Sequence, residues 1–246
     1  PLVPGISAVP YDDLEAMRAA VTDRTAAVIV EPIQGEGGVR LPSPGYLPGL
    51  RKLCDQTNTL LIFDEVQTGI GRTGYLFAYE DLGATPDIMT LAKALGNGFP
   101  IGAMLAKESV AAAFQPGAHA STFGGNFLAC RAGLAVAELL EDGKILANTR
   151  EMGEYFSARL RELADRHDVA MEVRGKGLLL GLALDRPGAP LVAACREAGM
   201  LINCTADRVL RFTPALIVTE KEIDALIPVL DGAITALEAN PSGEVK

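Results

Sequence analysis

Short unbroken apolar runs alternate with stretches of helical periodicity along the first half of this chain. Leu14, Met17 and Val21 recur at helical spacing within Tyr11–Val21, and Asp12 and Asp13 favour the N-terminal end of such a helix. Ala26-Ala27-Val28-Ile29-Val30 follows with no polar alternation, as in a strand buried on both faces of a parallel sheet. Leu47, Leu50, Leu53 and Cys54 fall on one face of a second helix over Gly45–Gln56, and Leu60-Leu61-Ile62-Phe63 reads as a second buried strand. Further strands fit Asp87–Leu91 and Ile101–Ala106. Strands alternating with helices in this way predict an open α/β sheet.

The pattern changes after a long loop over residues 115–126, which is rich in Gly, Ser, Thr and Asn. Helices are predicted over Leu128–Leu140 and Thr149–His167, then a strand pair at 169–174 and 177–184. A helix near 190–199, short strands near 200–204 and 208–213, and a last helix over Glu220–Leu237 complete the set. These elements predict a smaller α/β domain beginning near residue 130, so the chain divides into 1–129 and 130–246. Residues 1–10 carry three prolines and read as a loop, and Asn240–Lys246 read as a polar tail.

Composition narrows the function classes. Hydrophobic residues make up 49% of the 246 and charged residues 22%, an ordinary globular balance that excludes intrinsic disorder. The net charge of −9, with no Lys/Arg cluster, argues against a nucleic-acid partner. Cys54, Cys130, Cys195 and Cys204 lack CxxC spacing, and only His119 and His167 are available to join them, so no metal site is expected. Sparse cysteines suggest a reducing, cytoplasmic setting. No apolar run approaches a membrane span, so no membrane partner is expected, and no signal peptide is visible at the start. A first residue of Pro1 is what a fragment or a processed product would show.

Ligands of an open parallel sheet bind beyond the carboxyl ends of its strands. Two charged groups are predicted there: Asp64, with Glu65, directly after the Leu60–Phe63 strand, and Lys93 after the Ile88–Leu91 run. Asp64 has an alternative reading as a helix N-cap or turn residue. Lys93 sits among apolar residues followed by Gly96, Gly98 and Pro100, and the alternative for it is a snorkelling surface lysine. Partial desolvation would favour the neutral amine that attacks an aldehyde. The two together suit pyridoxal phosphate, which needs a lysine for its aldehyde and a carboxylate beside its ring nitrogen. At about 4 Å and an effective dielectric near 20, that carboxylate is worth roughly 4 kcal/mol to the protonated ring. The glycine clusters at 35–38 and 69–74 permit close approach to a phosphate or are simple strand-to-helix turns. Gly69-x-Gly71-x-x-Gly74 fits the dinucleotide pattern in spacing but does not run straight from a strand into a helix.

Four segments carry a resemblance: VEPIQGEGGV at 30–39, LLIFDEVQTGIGRTG at 60–74, PDIMTLAKALGNGFPIGAML at 86–105 and STFGGN at 121–126. In order and spacing they resemble class III aminotransferases, and VRGKGLLLGLAL at 173–184 and LRFTPALIVTEKEID at 210–224 resemble that family's C-terminal domain. The resemblance implies a fold-type I pyridoxal-phosphate-dependent transferase, represented by part of the large, mostly parallel sheet domain and a smaller C-terminal α/β domain. It implies pyridoxal 5'-phosphate as cofactor, held as a Schiff base by Lys93, with Asp64 on the pyridine nitrogen and Gln67 near the phenolic oxygen. Glu65 and Val66 complete that cofactor-binding stretch. Thr122 would reach the cofactor phosphate of a neighbouring subunit and Ser121 its substrate, so a homodimer with a shared active site is implied.

The same resemblance makes Arg211 the group that takes the carboxylate of glutamate or 2-oxoglutarate, and Glu36 its partner when no dicarboxylate is bound. Arg211 lies in an apolar strand, where an unpaired charge is costly and a bidentate carboxylate is a good partner, though a structural ion pair with another acid would serve as well. Gln67 has an alternative as a loop residue satisfying backbone groups, and Glu36 as a solvated loop residue. Phe127 stands where the family usually has a proline. The implied reaction moves the terminal amino group of N-acetylornithine to 2-oxoglutarate, with ornithine and succinyl-diaminopimelate as alternative donors. The family's N-terminal portion, which supplies a phosphate-binding loop, is expected to precede Pro1. Two rivals stay open: a non-catalytic fragment lacking that loop, and a nucleotide-binding enzyme built on the glycine loops.

Overall fold

In the computed structural model, which describes residues 3–239, the chain forms two units. The first takes in the chain up to Pro32 with Pro42–Gln67 and Tyr79–Gly133; the second takes in Ile33–Leu41, Thr68–Ala78 and the chain from Leu134 onward. The polar tail expected over Asn240–Lys246 lies outside the described residues.

The first unit is built on a four-stranded sheet of β1 (Ala27–Val30), β2 (Leu60–Asp64), β3 (Ile88–Leu91) and β4 (Ala103–Ala106), in that spatial order. The first three strands are parallel and β4 is antiparallel to β3. Helix α1 (Leu14–Ala20) starts where the Asp13 carboxylate accepts the Ala16 N–H at 2.8 Å. Helix α2 (Tyr46–Thr57) ends on Asn58 in the left-handed conformation that closes many helices. Tyr46, Leu47, Leu50, Leu53 and Cys54 from α2 and Met17 from α1 pack with Val28, Val30, Leu61 and Phe63 in one apolar cluster.

The expectation of strands buried on both faces is not met. Alternate positions separate cleanly: Val28, Val30, Leu61, Phe63, Met89 and Leu91 are buried, whereas Ile29 is 64% exposed and Ile62 and Ile88 are half-buried. Helices α1 and α2 share a cluster with the buried set, and no second such cluster meets the other set among the described residues.

A charge cluster fixes the end of this sheet remote from the strands' carboxyl ends. Asp87, just before β3, accepts the Leu61 N–H at 2.9 Å, Arg51 of α2 at 2.8 Å and Lys107, just after β4, at 2.8 Å. One side chain thereby joins α2 to three strands. Burial opposes its charge, but these donors outweigh burial and hold the carboxyl down at about 2.

A short helix α3 (Glu108–Ala111), absent from the sequence prediction, and α4 (Phe127–Leu140) follow the sheet. In the second unit, α5 (Lys144–Ala164) starts earlier than the predicted Thr149, directly after Gly143, whose φ of 71° suits glycine. It leads into a sheet of β5 (Ala170–Lys176), β6 (Leu179–Leu184), β7 (Asn203–Thr205) and β8 (Val209–Phe212), ordered β5-β6-β8-β7 and antiparallel throughout. Helices α6 (Ala189–Glu197) and α7 (Glu220–Ala239) complete the unit. Its core joins Phe156, Leu160 and Leu163 of α5 to Leu180, Leu182, Leu210 and Phe212 of the sheet and Leu230 and Ile234 of α7. The Phe156 and Phe212 rings meet edge to face at 5.2 Å. His167 lies just beyond α5, not within it, and its two ring nitrogens face Glu238 at 2.9 Å and Asp231 at 2.8 Å.

Because the Asp87 carboxyl is depressed by roughly two units, it contributes roughly 2.5 kcal/mol of stability above the ordinary carboxylate range. That contribution is lost as the pH falls from about 4 toward its folded value of about 2. Urea melts of Asp87→Asn are expected to show a loss of roughly 2–3 kcal/mol at pH 7 that shrinks steadily below pH of about 4. A loss independent of pH would assign the effect to packing instead of charge.

Candidate active site

The parallel register of β2 and β3 sets Asp64 opposite Thr90, so both strands deliver their carboxyl ends to the same edge of the sheet. Asp64 is the last residue of β2 and not the helix N-cap it also resembled. Its Oδ1 accepts the Val66 N–H at 3.1 Å and the Thr90 hydroxyl at 3.3 Å. Among the described residues nothing donates to Oδ2 and no cation pairs with Asp64, so one oxygen stays available for a donor. The next residue behaves differently. Glu65 is buried, and its carboxylate accepts the Tyr79 N–H at 2.9 Å, which braces the loop from inside. Val66 and Gln67 are half-buried beside it.

Lys93 lies three residues beyond Thr90, at the start of a single 3-10 turn, Lys93–Leu95. Its φ is +44°, a conformation unusual for a side chain with a Cβ and one that tends to mark functional turns. Gly96 makes the turn possible: a Cβ there would sit 2.2 Å from the Phe99 carbonyl oxygen. Lys93 is exposed and its amine makes no hydrogen bond or ion pair among the described residues. The partial desolvation expected of it is therefore not present. The flanking Asn97 and Gly98 are exposed too.

Ser121 and Thr122 lie on an exposed loop. Ser121 lines an open concavity of about 640 Å³ with Pro100, Ile101, His119, Gly124 and Asn126. Lys93 and Asp64 are not among its lining residues, but its Gly102 directly precedes Ala103, which pairs with Leu91 at the carboxyl end of β3. Asn126 starts α4 by accepting the Ala129 N–H at 2.9 Å, and the helix forms normally with Phe127 as its first residue.

The second unit holds the remaining pair. Arg211, on β8 opposite Gly181 and Asn203, donates through Nη1 to Glu36 Oε1 at 2.7 Å. The arginine side chain is 10% exposed and the glutamate 68%. Glu36 sits in a glycine loop closed by backbone bonds between Gln34 and Arg40, at 3.0 and 3.1 Å. Thr205 donates its hydroxyl to the Glu36 carbonyl and lies 3.3 Å from Oε2. Sequence reasoning missed Thr90 and Thr205. Each is an isolated threonine in a strand, with no pattern to mark it; strand pairing brings Thr90 to Asp64, and the packing of a loop on the strand brings Glu36 to Thr205.

An acid and a lysine at adjoining carboxyl ends of a parallel-rich sheet, with a second α/β unit in the chain, are an arrangement found in transferases of fold type I. Comparison with known proteins narrows the class to a family: residues 4–234 match Aminotransferase class-III, and the chain belongs to that family. It is 50% identical over 242 residues to the acetylornithine aminotransferase of Methanocaldococcus jannaschii, covering 97% of this chain and 60% of that protein. It is 51% identical over 237 residues to the acetylornithine aminotransferase of Methanothermobacter thermautotrophicus, covering 96% and 61%. Among solved structures, the ornithine δ-aminotransferase of Plasmodium falciparum superimposes with a TM-score of 0.91 at 37% identity over 97% of this chain and 63% of that one. The acetylornithine aminotransferase of Elizabethkingia anophelis gives 0.88 at 36% identity over 95% and 63%. The chain thus spans about three-fifths of the length of the curated relatives it matches.

An ion pair with one largely exposed partner is worth about 1 kcal/mol or less. Glu36→Gln is therefore expected to lower stability by under about 1 kcal/mol in urea melts. A loss above about 3 kcal/mol would make the Arg211–Glu36 contact a structural bridge instead of an exchangeable one.

Proposed function

We propose that this chain is part of an aminotransferase that moves the terminal amino group of N-acetylornithine to 2-oxoglutarate, forming glutamate and an aldehyde. The observation that carries the reading is the placement of Asp64, with one carboxylate oxygen unengaged, and Lys93, exposed on a left-handed turn, at the ends of adjacent parallel strands. The named activity of the relatives at 50% identity supports the choice of substrate.

The residues present fit the cofactor of the family. Pyridoxal 5'-phosphate, when bound, supplies an aldehyde that takes up the amino group and a ring that accepts electrons from the substrate carbon. Lys93 Nζ is the attachment point and then the general base and acid toward the carbon bearing the transferred amine. Asp64, steadied by Val66 N–H and Thr90, has a free oxygen that would take the protonated ring nitrogen. Gln67 would serve the phenolic oxygen, while Glu65 and Val66 shape the loop between them. Thr122 and Ser121 serve the cofactor phosphate and substrate of a neighbouring subunit, which requires a homodimer. Arg211 binds the carboxylate of glutamate or 2-oxoglutarate, and Glu36 holds its charge in the dicarboxylate's absence.

In this reading residues 1–129 are the C-terminal part of the large cofactor-binding domain and 130–246 the small domain, and the enzyme works in the cytoplasm. All four cysteines are unpaired, in keeping with a reducing compartment. No helix of the described residues is long and apolar enough to cross a membrane. A second reading, that this chain by itself binds no cofactor, has the exposure of Lys93 in its favour.

Glutamate formation from 2-oxoglutarate should be measured with N-acetylornithine, ornithine and succinyl-diaminopimelate as donors. N-acetylornithine is expected to give the highest kcat/KM, and Asp64→Asn to lower the rate at least about a hundredfold. A faster rate with another donor reassigns the substrate, and an undiminished Asp64→Asn rate removes Asp64 from the chemistry.

A further inference from the structure

The antiparallel ladder between β6 and β8 pairs Gly181 with Arg211 and Leu180 with Phe212, and there it ends. Continued by one more pair of the same parity, it would set Leu178 opposite Pro214. Proline has no N–H to donate, so the ladder cannot go on by itself. Arg72 closes it instead. Its Nη1 donates to the carbonyl of Leu178 at 3.0 Å and to that of Pro214 at 2.7 Å. Its own carbonyl accepts the Leu178 N–H at 3.0 Å. One residue thus supplies both backbone and side-chain bonds at the place where the strand pair runs out.

The segment carrying Arg72 is gripped on all sides within this unit. A Cβ on Gly177 would lie 2.5 Å from the Thr73 carbonyl carbon, and one on Gly153 of α5 would lie 2.4 Å from the Gly177 oxygen. Arg150 of α5 donates to the Gly74 carbonyl. The same segment continues directly from Asp64–Gln67 along the chain.

Among the described residues no carboxylate pairs with Arg72; its only side-chain partners are the two carbonyls. Burial lowers its pKa to about 10. A desolvated cation with neutral partners is a costly way to satisfy two oxygens, since uncharged donors would do so without the loss of hydration. What the arginine adds is a single planar NH2 group on a long arm whose two hydrogens hold two chain segments at one fixed separation. Arg211 is the next-to-last residue of β8 and stands three residues before Pro214. Unless the strand end is held, the orientation of its own fork is not fixed, and bidentate carboxylate binding depends on that orientation.

We propose that Arg72 is a positioning residue for Arg211: by closing the β6–β8 ladder at Leu178 and Pro214 it fixes the guanidinium that receives the dicarboxylate co-substrate. The proposal rests on the reading of Arg211 given above. The test uses the holoenzyme and measures the two half-reactions separately, with N-acetylornithine and with 2-oxoglutarate. Arg72→Met is expected to raise KM for 2-oxoglutarate about tenfold while leaving the amino-donor half-reaction within about twofold. Arg72→Lys, which keeps the charge and a donor, should recover part of that loss, and it carries the same KM test if the Met variant does not fold. Equal losses in both half-reactions, or an unchanged KM in a folded variant, overturn the proposal. Arg211→Lys is the control. If it raises KM for 2-oxoglutarate and the Arg72 variants do not, only the positioning role fails; if it leaves that KM unchanged, the reading of Arg211 fails and the proposal with it.

Discussion

The parallel ladder between β2 and β3 is the constraint on which the candidate site depends. Parallel strands bring equivalent ends together, so Asp64 and the chain entering Lys93 arrive at one edge without any contact having to recruit them. Each end is then shaped locally. An Asp64–Val66 turn and the Thr90 hydroxyl orient the carboxylate, and a glycine that cannot carry a Cβ permits the tight turn that starts at Lys93. Asp87 works at the other end of the same strands. By binding Arg51, Lys107 and the Leu61 amide it ties β2, β3 and β4 in register, and a slip of one residue would reverse every side chain.

In the second unit a nearly enclosed arginine meets a largely exposed acid. Arg211 needs a carboxylate, and Glu36 supplies one from an exposed position on a glycine loop. The arginine side chain is 10% exposed and the acid 68%, so the two partners differ sharply in access to solvent. This asymmetry suits an arginine proposed to bind a dicarboxylate intermittently.

Much of this was legible in the sequence, for reasons that differ from residue to residue. The order of strands and helices followed from apolar spacing, because α2 buries Leu47, Leu50, Leu53 and Cys54 on a single face as the period requires. Lys93 and Asp64 were singled out as candidates because each charge falls at the end of an apolar run, although each also had a plain structural reading. The half-open faces of β1 to β3 were not legible. An unbroken apolar run such as Ala27–Val30 reports what a strand is made to be buried in, and it does not report how many faces these residues cover by themselves. The exposure of Lys93 escaped for the same reason. Thr90, Thr205 and Arg72 act only through tertiary contacts, between residues 26, 169 and 106 to 142 positions apart, and no local pattern announces such partners.

The role of Lys93 is the point on which the functional reading turns. The protein should be incubated with pyridoxal 5'-phosphate, reduced with borohydride and mapped by peptide mass. Label confined to the peptide containing Lys93 is the expected result, because the strand end and its turn single out that amine. Label scattered over surface lysines, or absent from Lys93, would contradict it and leave the residue an exposed lysine at the end of a strand.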